Sequence, residues 1–188
     1  RFCRGSNASR VVVDDYQGVY NAVCHLLATG CRRIAFFGSP MHLEISKNRF
    51  NGYKDALLHH DIAIDDSIIR ICDNRIDAER ITPELLLSHE RPDAFFAIND
   101  DTAIGILRVV KRSGLRVPED ISIFGFSDGF RAIASDPQLT SVNQRGEIVG
   151  SEAVDILIDE VEGKLPVDRV NKRIVKTSLV IRGTTRPL

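Results

Sequence analysis

Tryptophan is absent from this chain, methionine occurs once, and neither sign of charge prevails. A net charge of −1 over 188 residues gives no global attraction to nucleic acid or to an anionic membrane. No apolar run approaches the length that spans a bilayer. Cysteine is sparse. Cys3, Cys24, Cys31 and Cys72 lack metal-ligand spacing and are too few to frame a disulfide scaffold of this size, which points to free thiols in a reducing cytosol. No segment repeats at a fixed period, and none is of low complexity. The chain opens on Arg1 rather than Met, as a piece cut from something longer would, so the lack of a signal-like start is uninformative about compartment.

One further absence removes an enzyme class. Gly125-Phe126-Ser127-Asp128-Gly129 fits G-x-S-x-G, the nucleophile elbow of α/β hydrolases, and it follows an apolar run as that motif demands. Those hydrolases need a histidine after the serine in chain order. Here His25, His42, His59, His60 and His89 all precede Ser127. The adjacent acidic pairs Asp14-Asp15 and Asp100-Asp101 stand at helix starts, where carboxylates usually cap rather than hold metal. Neither catalytic residues, nor a metal site, nor a cofactor is expected.

What is present is an ordinary globular balance of 43% apolar and 27% charged residues, in a chain long enough to bury a core in one or two domains. The most informative stretch runs from Pro92 to Ser127. Ala94 to Ile98 is a short apolar run, a buried strand. Asn99, Asp100 and Asp101 suit a helix start, and Ala103, Ile106, Leu107 and Val110 recur at helical spacing until Gly114. Val117-Pro118-Glu119-Asp120 turns the chain into a second buried strand, Ile121 to Phe126. A strand–helix–strand unit implies a parallel sheet, and such sheets bind ligands beyond the carboxyl ends of their strands. Asn99-Asp100 and Ser127-Asp128 share that edge.

The remainder alternates in the same way. Residues 1 to 10 read as a loop. Val11 to Val13 is a short strand ending at Asp14-Asp15, followed by a helix with Tyr16, Val19, Tyr20, Val23, Leu26 and Leu27 on one face and closed by Gly30. Arg33 to Gly38 is a strand, and the loop to Ile45 is placed to lie over a pocket. Ser46 is the expected N-cap of a helix whose apolar face is Phe50, Tyr53, Leu57 and Leu58. Ile68 to Cys72 reads as a strand and Ala78 to Leu87 as a helix, with Pro83 limiting its start. Leu139 to Val142 reads as a short extended crossing. Glu147 to Val161 is an amphipathic helix with Ile148, Ala153, Ile156 and Leu157 on its apolar face, and Ile174-Val175 and Leu179 to Ile181 are extended. The class is α/β. The weak first strand, and a late helix placed to pack on the first one, suggest two lobes with one incomplete.

Taken together, VVVDDYQGVYNAVCHLLATGCRRIAFFG, NRFNGYKDAL, PDAFFAINDDTAIGILRVVKRSGLRVPEDISIFGFSD, PQLTSVNQRGEIVGSEAVDIL and SLVIRGTT resemble the ligand-binding core of the lactose-repressor (LacI/GalR-type) family of bacterial transcription regulators. The resemblance runs from about Val11 to Thr185. It implies a type I periplasmic-binding-protein-like fold, with two doubly wound parallel-sheet lobes, three crossing segments and a small effector, often a sugar, in the cleft. On this division residues 1–32 are a remnant of the N-terminal lobe, 33–142 the C-terminal lobe, 143–175 a return to the first, and 176–188 a final crossing back. The family's helix-turn-helix DNA-binding domain is not in this stretch. The resemblance further implies a cytoplasmic homodimer that meets operator DNA only through that domain and has no membrane partner. The alternative is a periplasmic sugar-binding component of a transporter, which has the same fold.

The resemblance singles out ligand-binding candidates, each with a plainer reading beside it. Arg49 offers a rigid fork of donors to an effector, or is structural. Asn99 suits adjacent hydroxyls, or caps the helix, although Asp100 is the more natural cap. Ser127 stands where many relatives carry Asp, which weakens a charge-assisted contact, and Asp128 is the adjacent substitute. Gln17 aligns with an effector contact from the other lobe, Asp15 caps that helix or faces the cleft, and Gln144 follows the second crossing.

Overall fold

A computed structural model describes residues 8–166 and 168–188. Cys3 and most of the expected N-terminal loop lie outside the described residues. The chain forms β1 (Arg10–Val13), α1 (Asp15–Ala28), β2 (Ile34–Gly38), α2 (Glu44–His59), β3 (Ile69–Ile71), α3 (Arg75–Leu87), β4 (Ala94–Ala97), α4 (Asp100–Arg112), β5 (Ser122–Ser127), α5 (Phe130–Ala134), β6 (Thr140–Asn143), α6 (Gly146–Val161), β7 (Lys172–Val175) and β8 (Ser178–Val180).

The strands make a six-stranded sheet in the order β3-β2-β4-β5-β6-β8 and a two-stranded sheet of β1 and β7. All pairs are parallel except β6 with β8. The larger sheet is covered on both faces, which is why its strands read as unbroken apolar runs. Alternate side chains serve opposite layers. Phe36, Phe96, Phe124 and Phe126 join Val19, Val23, Leu26, Tyr53 and Leu57 on the face of α1 and α2. Phe37, Phe95 and Ile123 join Ala103, Ile106 and Val110 on the face of α3 and α4. From β2 the chain runs outward to β3, then crosses to β4 on the other side of β2. The carboxyl ends of β2 and β4 therefore diverge at a topological switch point.

Several expectations are corrected. The first helix was assigned with residues 1–32 to the smaller lobe. Instead α1 packs along α2 and buries its apolar face in the core of the larger sheet. α6 lies against β1 and β7, not against α1. Ser46 does not cap α2. The helix begins two residues earlier, at Glu44 after Leu43, and Ser46 is buried inside it. Leu58 is exposed, and Ala56 takes the place expected of it. α3 starts ahead of Ala78, because Asn74 accepts from the Asp77 N–H at 2.9 Å and fixes the first turn. Pro83 then sits inside the helix. The segment around residues 139–142 is no mere crossing, since β6 is a full strand between β5 and β8. On α6, Ile156 is buried, but Ile148, Val154, Leu157, Ile158 and Val161 are exposed.

The α1–α2 contact is closest at Gly52. A Cβ there would lie 2.4 Å from the Tyr16 carbonyl oxygen and 3.1 Å from the Tyr20 nitrogen, both backbone atoms that cannot rotate away. Gly52→Ala is expected to lower stability by about 2 kcal/mol despite alanine's better helix propensity. Urea unfolding of the two proteins measures it, and an unchanged midpoint would refute the tight contact.

Candidate functional site

The chain leaves β1 at Asp14, whose carboxylate accepts from the Gln17 N–H at 3.2 Å and caps α1. The cap sets the direction of Asp15, the first residue of the helix. Its carboxylate meets Arg49, which projects from the first half of α2. Asp15 Oδ1 accepts from Arg49 Nε at 2.8 Å and lies 2.6 Å from Nη2. Arg49 Nη1 donates to the Ile98 carbonyl oxygen at the end of β4. The Phe126 ring backs the guanidinium, with its centroid 3.4 Å from Cζ. Arg49 is 4% exposed, so this is a buried ion pair to which the carbonyl and the ring add further partners. Burial pushes the Asp15 carboxyl up and the Arg49 guanidinium down, and their attraction for each other opposes both shifts.

The pair forms part of the wall of a cavity of about 480 Å³ between the two sheets. Arg10 to Val13 and Lys172 contribute one side, Leu43 to Ile45 at the start of α2 the other, and Gln144 a third. Polar groups thus converge on an otherwise apolar hollow, the usual make-up of a small-molecule site.

A second cluster shapes the rim beyond β5. Ser127 and Asp128 have φ of 132° and 57°, the left-handed half of conformational space that residues other than glycine seldom occupy. Buried polar groups hold them there. Asp128 Oδ1 pairs with Arg182 Nη1 at 2.7 Å, and Oδ2 accepts from Asn143 Nδ2 at 2.8 Å. The Asp128 N–H donates to Ser141 Oγ, which donates to Asp100 Oδ1 at 2.6 Å. Asp100 Oδ2 accepts from the Gly129 N–H at 2.8 Å. Burial pushes the Asp100 carboxyl up, against the hydrogen bonds it accepts. The Ser127 side chain is left exposed, and its hydroxyl accepts from Gln144 Nε2 at 3.0 Å.

Arg49, Asp15 and Gln144 are brought together on the cavity, and Ser127 is tied to it through Gln144. Asn99 is not among the lining residues. Its Oδ1 accepts from the Thr102 N–H and its Nδ2 donates to the Asp73 carbonyl, each at 2.8 Å, so the capping role takes its side chain. Asp100 is not the cap, and Asp15 does not cap α1. Asp128 is committed to Arg182 and Asn143. Gln17 is exposed on α1, with Nε2 donating to Asn21 at 2.8 Å. Sequence reasoning missed Lys172 and the β1 backbone as walls, because the β1–β7 pairing joins segments far apart in the chain. It also missed Arg182, although that residue lies in the SLVIRGTT motif.

The family of periplasmic binding protein-like domains matches residues 23–185. A curated relative, the HTH-type transcriptional regulator CelR of Thermobifida fusca, is 34% identical over 93% of this chain and 51% of its own length. The solved CelR–cellobiose complex superposes with a TM-score of 0.86 at 31% identity, covering 95% of this chain and 54% of that one. A regulatory protein of the LacI family from Chloroflexus aggregans superposes with a TM-score of 0.89 at 29% identity, over 98% of this chain and 66% of that one. The chain belongs to the LacI family of transcriptional regulators. It has the periplasmic-binding-protein-like fold of their cores, and it spans about half the length of the curated relatives it matches. This LacI-family core keeps its buried Asp128–Arg182 pair at the rim, where removing one partner leaves the other charge buried. Asp128→Ala is expected to cost about 3–5 kcal/mol in urea unfolding, with Asp128→Asn costing less because the amide still accepts from Arg182.

Proposed function

We propose that this chain is the effector-sensing core of a DNA-binding transcription regulator and carries out no reaction on its ligand. The observation that carries the reading is the Arg49 fork, buried and fixed at the wall of a cavity between two sheets. Arg49, Gln144 and the Ser127 hydroxyl contact the effector. The effector is a sugar or a related metabolite, in keeping with the cellobiose held by the similar CelR structure. The transporter alternative loses ground because the similar proteins named above are transcriptional regulators.

The six-stranded unit is one lobe, now including α1. The β1–β7 pair with α6 is part of a second. A two-stranded parallel sheet does not bury both of its faces, and the apolar side chains exposed along α6 support further strands of the longer protein packing there. Operator DNA is met through a separate domain, and the setting is the cytoplasm. Among the described residues, no helix is long and apolar enough to cross a membrane. The effector acts by binding one relative orientation of the lobes better than another, since equal affinity for both would regulate nothing. The regulator works as a homodimer, for which Phe130 at 83% exposure and Ile133 on α5, with Ile76 on α3, offer an apolar surface.

Two measurements test this. Thermal shifts of the full-length protein against a panel of neutral sugars should identify a stabilising ligand, and Arg49→Ala should weaken its binding about tenfold or more. Unchanged affinity in a folded variant would remove Arg49 from the site. Phe130→Glu should shift the sedimentation equilibrium from dimer toward monomer without unfolding the protein, whereas an unaffected dimer would place the interface elsewhere.

A further inference from the structure

The charge that the cavity tolerates is decided by Asp15. A guanidinium carries five N–H groups. In Arg49, Nε–H and one N–H of Nη2 turn to Asp15, and one N–H of Nη1 goes to the Ile98 carbonyl. One N–H on each terminal nitrogen remains for a ligand. The charge behind those two donors is already balanced by a carboxylate at 2.6 Å. An anion accepting from them would sit about one guanidinium width from the Asp15 carboxylate, where little water screens the repulsion. An uncharged hydroxyl would accept the same hydrogen bonds without that cost.

The other charged residues of the cavity wall are Arg10, Glu44 and Lys172. Glu44 and Lys172 are exposed and Arg10 is half-buried, so water and salt damp their fields. The buried pair is therefore the electrostatic determinant of the interior.

We propose that Asp15 is a specificity-determining residue, whose carboxylate neutralises the Arg49 fork and confines the cavity to uncharged, hydroxyl-bearing ligands. Phosphorylated or carboxylate-bearing ligands of the same outline are excluded. The proposal rests on the reading of this cavity as the effector site. A hydroxylated ligand completes the two free donors of Arg49 while leaving the pair with Asp15 intact.

Inorganic phosphate is the probe, titrated at pH 7 into the full-length protein by calorimetry and thermal shift. Asp15→Asn and Asp15→Ser both remove the balancing charge, and the second leaves more room. Each variant is expected to bind phosphate at least tenfold more tightly than the unmodified protein. Adding Arg49→Gln should abolish the gain, which separates this cavity from exposed basic residues. Folded Asp15 variants with no gain would overturn the proposal, as would phosphate binding by the unmodified protein that Arg49→Gln removes. A parallel arm needs no Asp15 variant. Ribose and glucose are compared with ribose 5-phosphate and glucose 6-phosphate on the unmodified protein, and stabilisation by an ester above its parent sugar would likewise overturn the proposal. The phosphate arm involves no sugar. Its failure is thus distinct from failure of the sugar panel, which bears on the effector reading alone.

Discussion

Burying a guanidinium almost wholly at the wall of the cavity is the constraint around which this chain is arranged. An unpaired cation there would be costly, so its partners have to surround it in the folded chain. They come from separate segments: the carboxylate of Asp15 where the chain enters α1, the Ile98 carbonyl at the end of β4, and the Phe126 ring on β5. α2 carries the cation itself. One side chain thus ties the first crossing to the switch point of the sheet. The close passage of α1 over α2 at Gly52 is what brings Asp15 within reach.

The larger sheet supplies the stiffness this arrangement needs. Its phenylalanines alternate between layers, so the strands are packed from both sides and their carboxyl ends do not drift. The rim turn after β5 is held by a different means. Hydrogen bonds and one ion pair keep Ser127 and Asp128 in backbone conformations that would each cost about 1–3 kcal/mol in isolation.

The α/β class, the strands of the larger sheet and most helices could be read in the sequence, because buried strands and amphipathic helices leave short-range periodicities. The motifs extended this to the family. Three kinds of information were out of reach. The assignment of α1 to the smaller lobe failed because apolar periodicity tells that a face is covered, not by what. Ser46 was read as a cap the helix does not use and Asn74, the cap of α3, was passed over, so both helices begin earlier than expected. At the site, Arg49 could be singled out through the motif NRFNGYKDAL, but its pairing with Asp15 spans 34 positions and has no local signature. Asn99 was readable as polar and well placed, yet two backbone groups claim its side chain.

The turn beyond β5 separates shape from chemistry. Asp100, Ser141, Asn143 and Arg182 grip the backbone and the side chain of Asp128, while the hydroxyl of Ser127 points outward and holds nothing of the turn together. Replacing the side chain at position 127 would leave that grip in place. On the proposed reading of the cavity, descendants of this protein can therefore trade one ligand for another at that point by small steps, without first having to rebuild the scaffold that presents it.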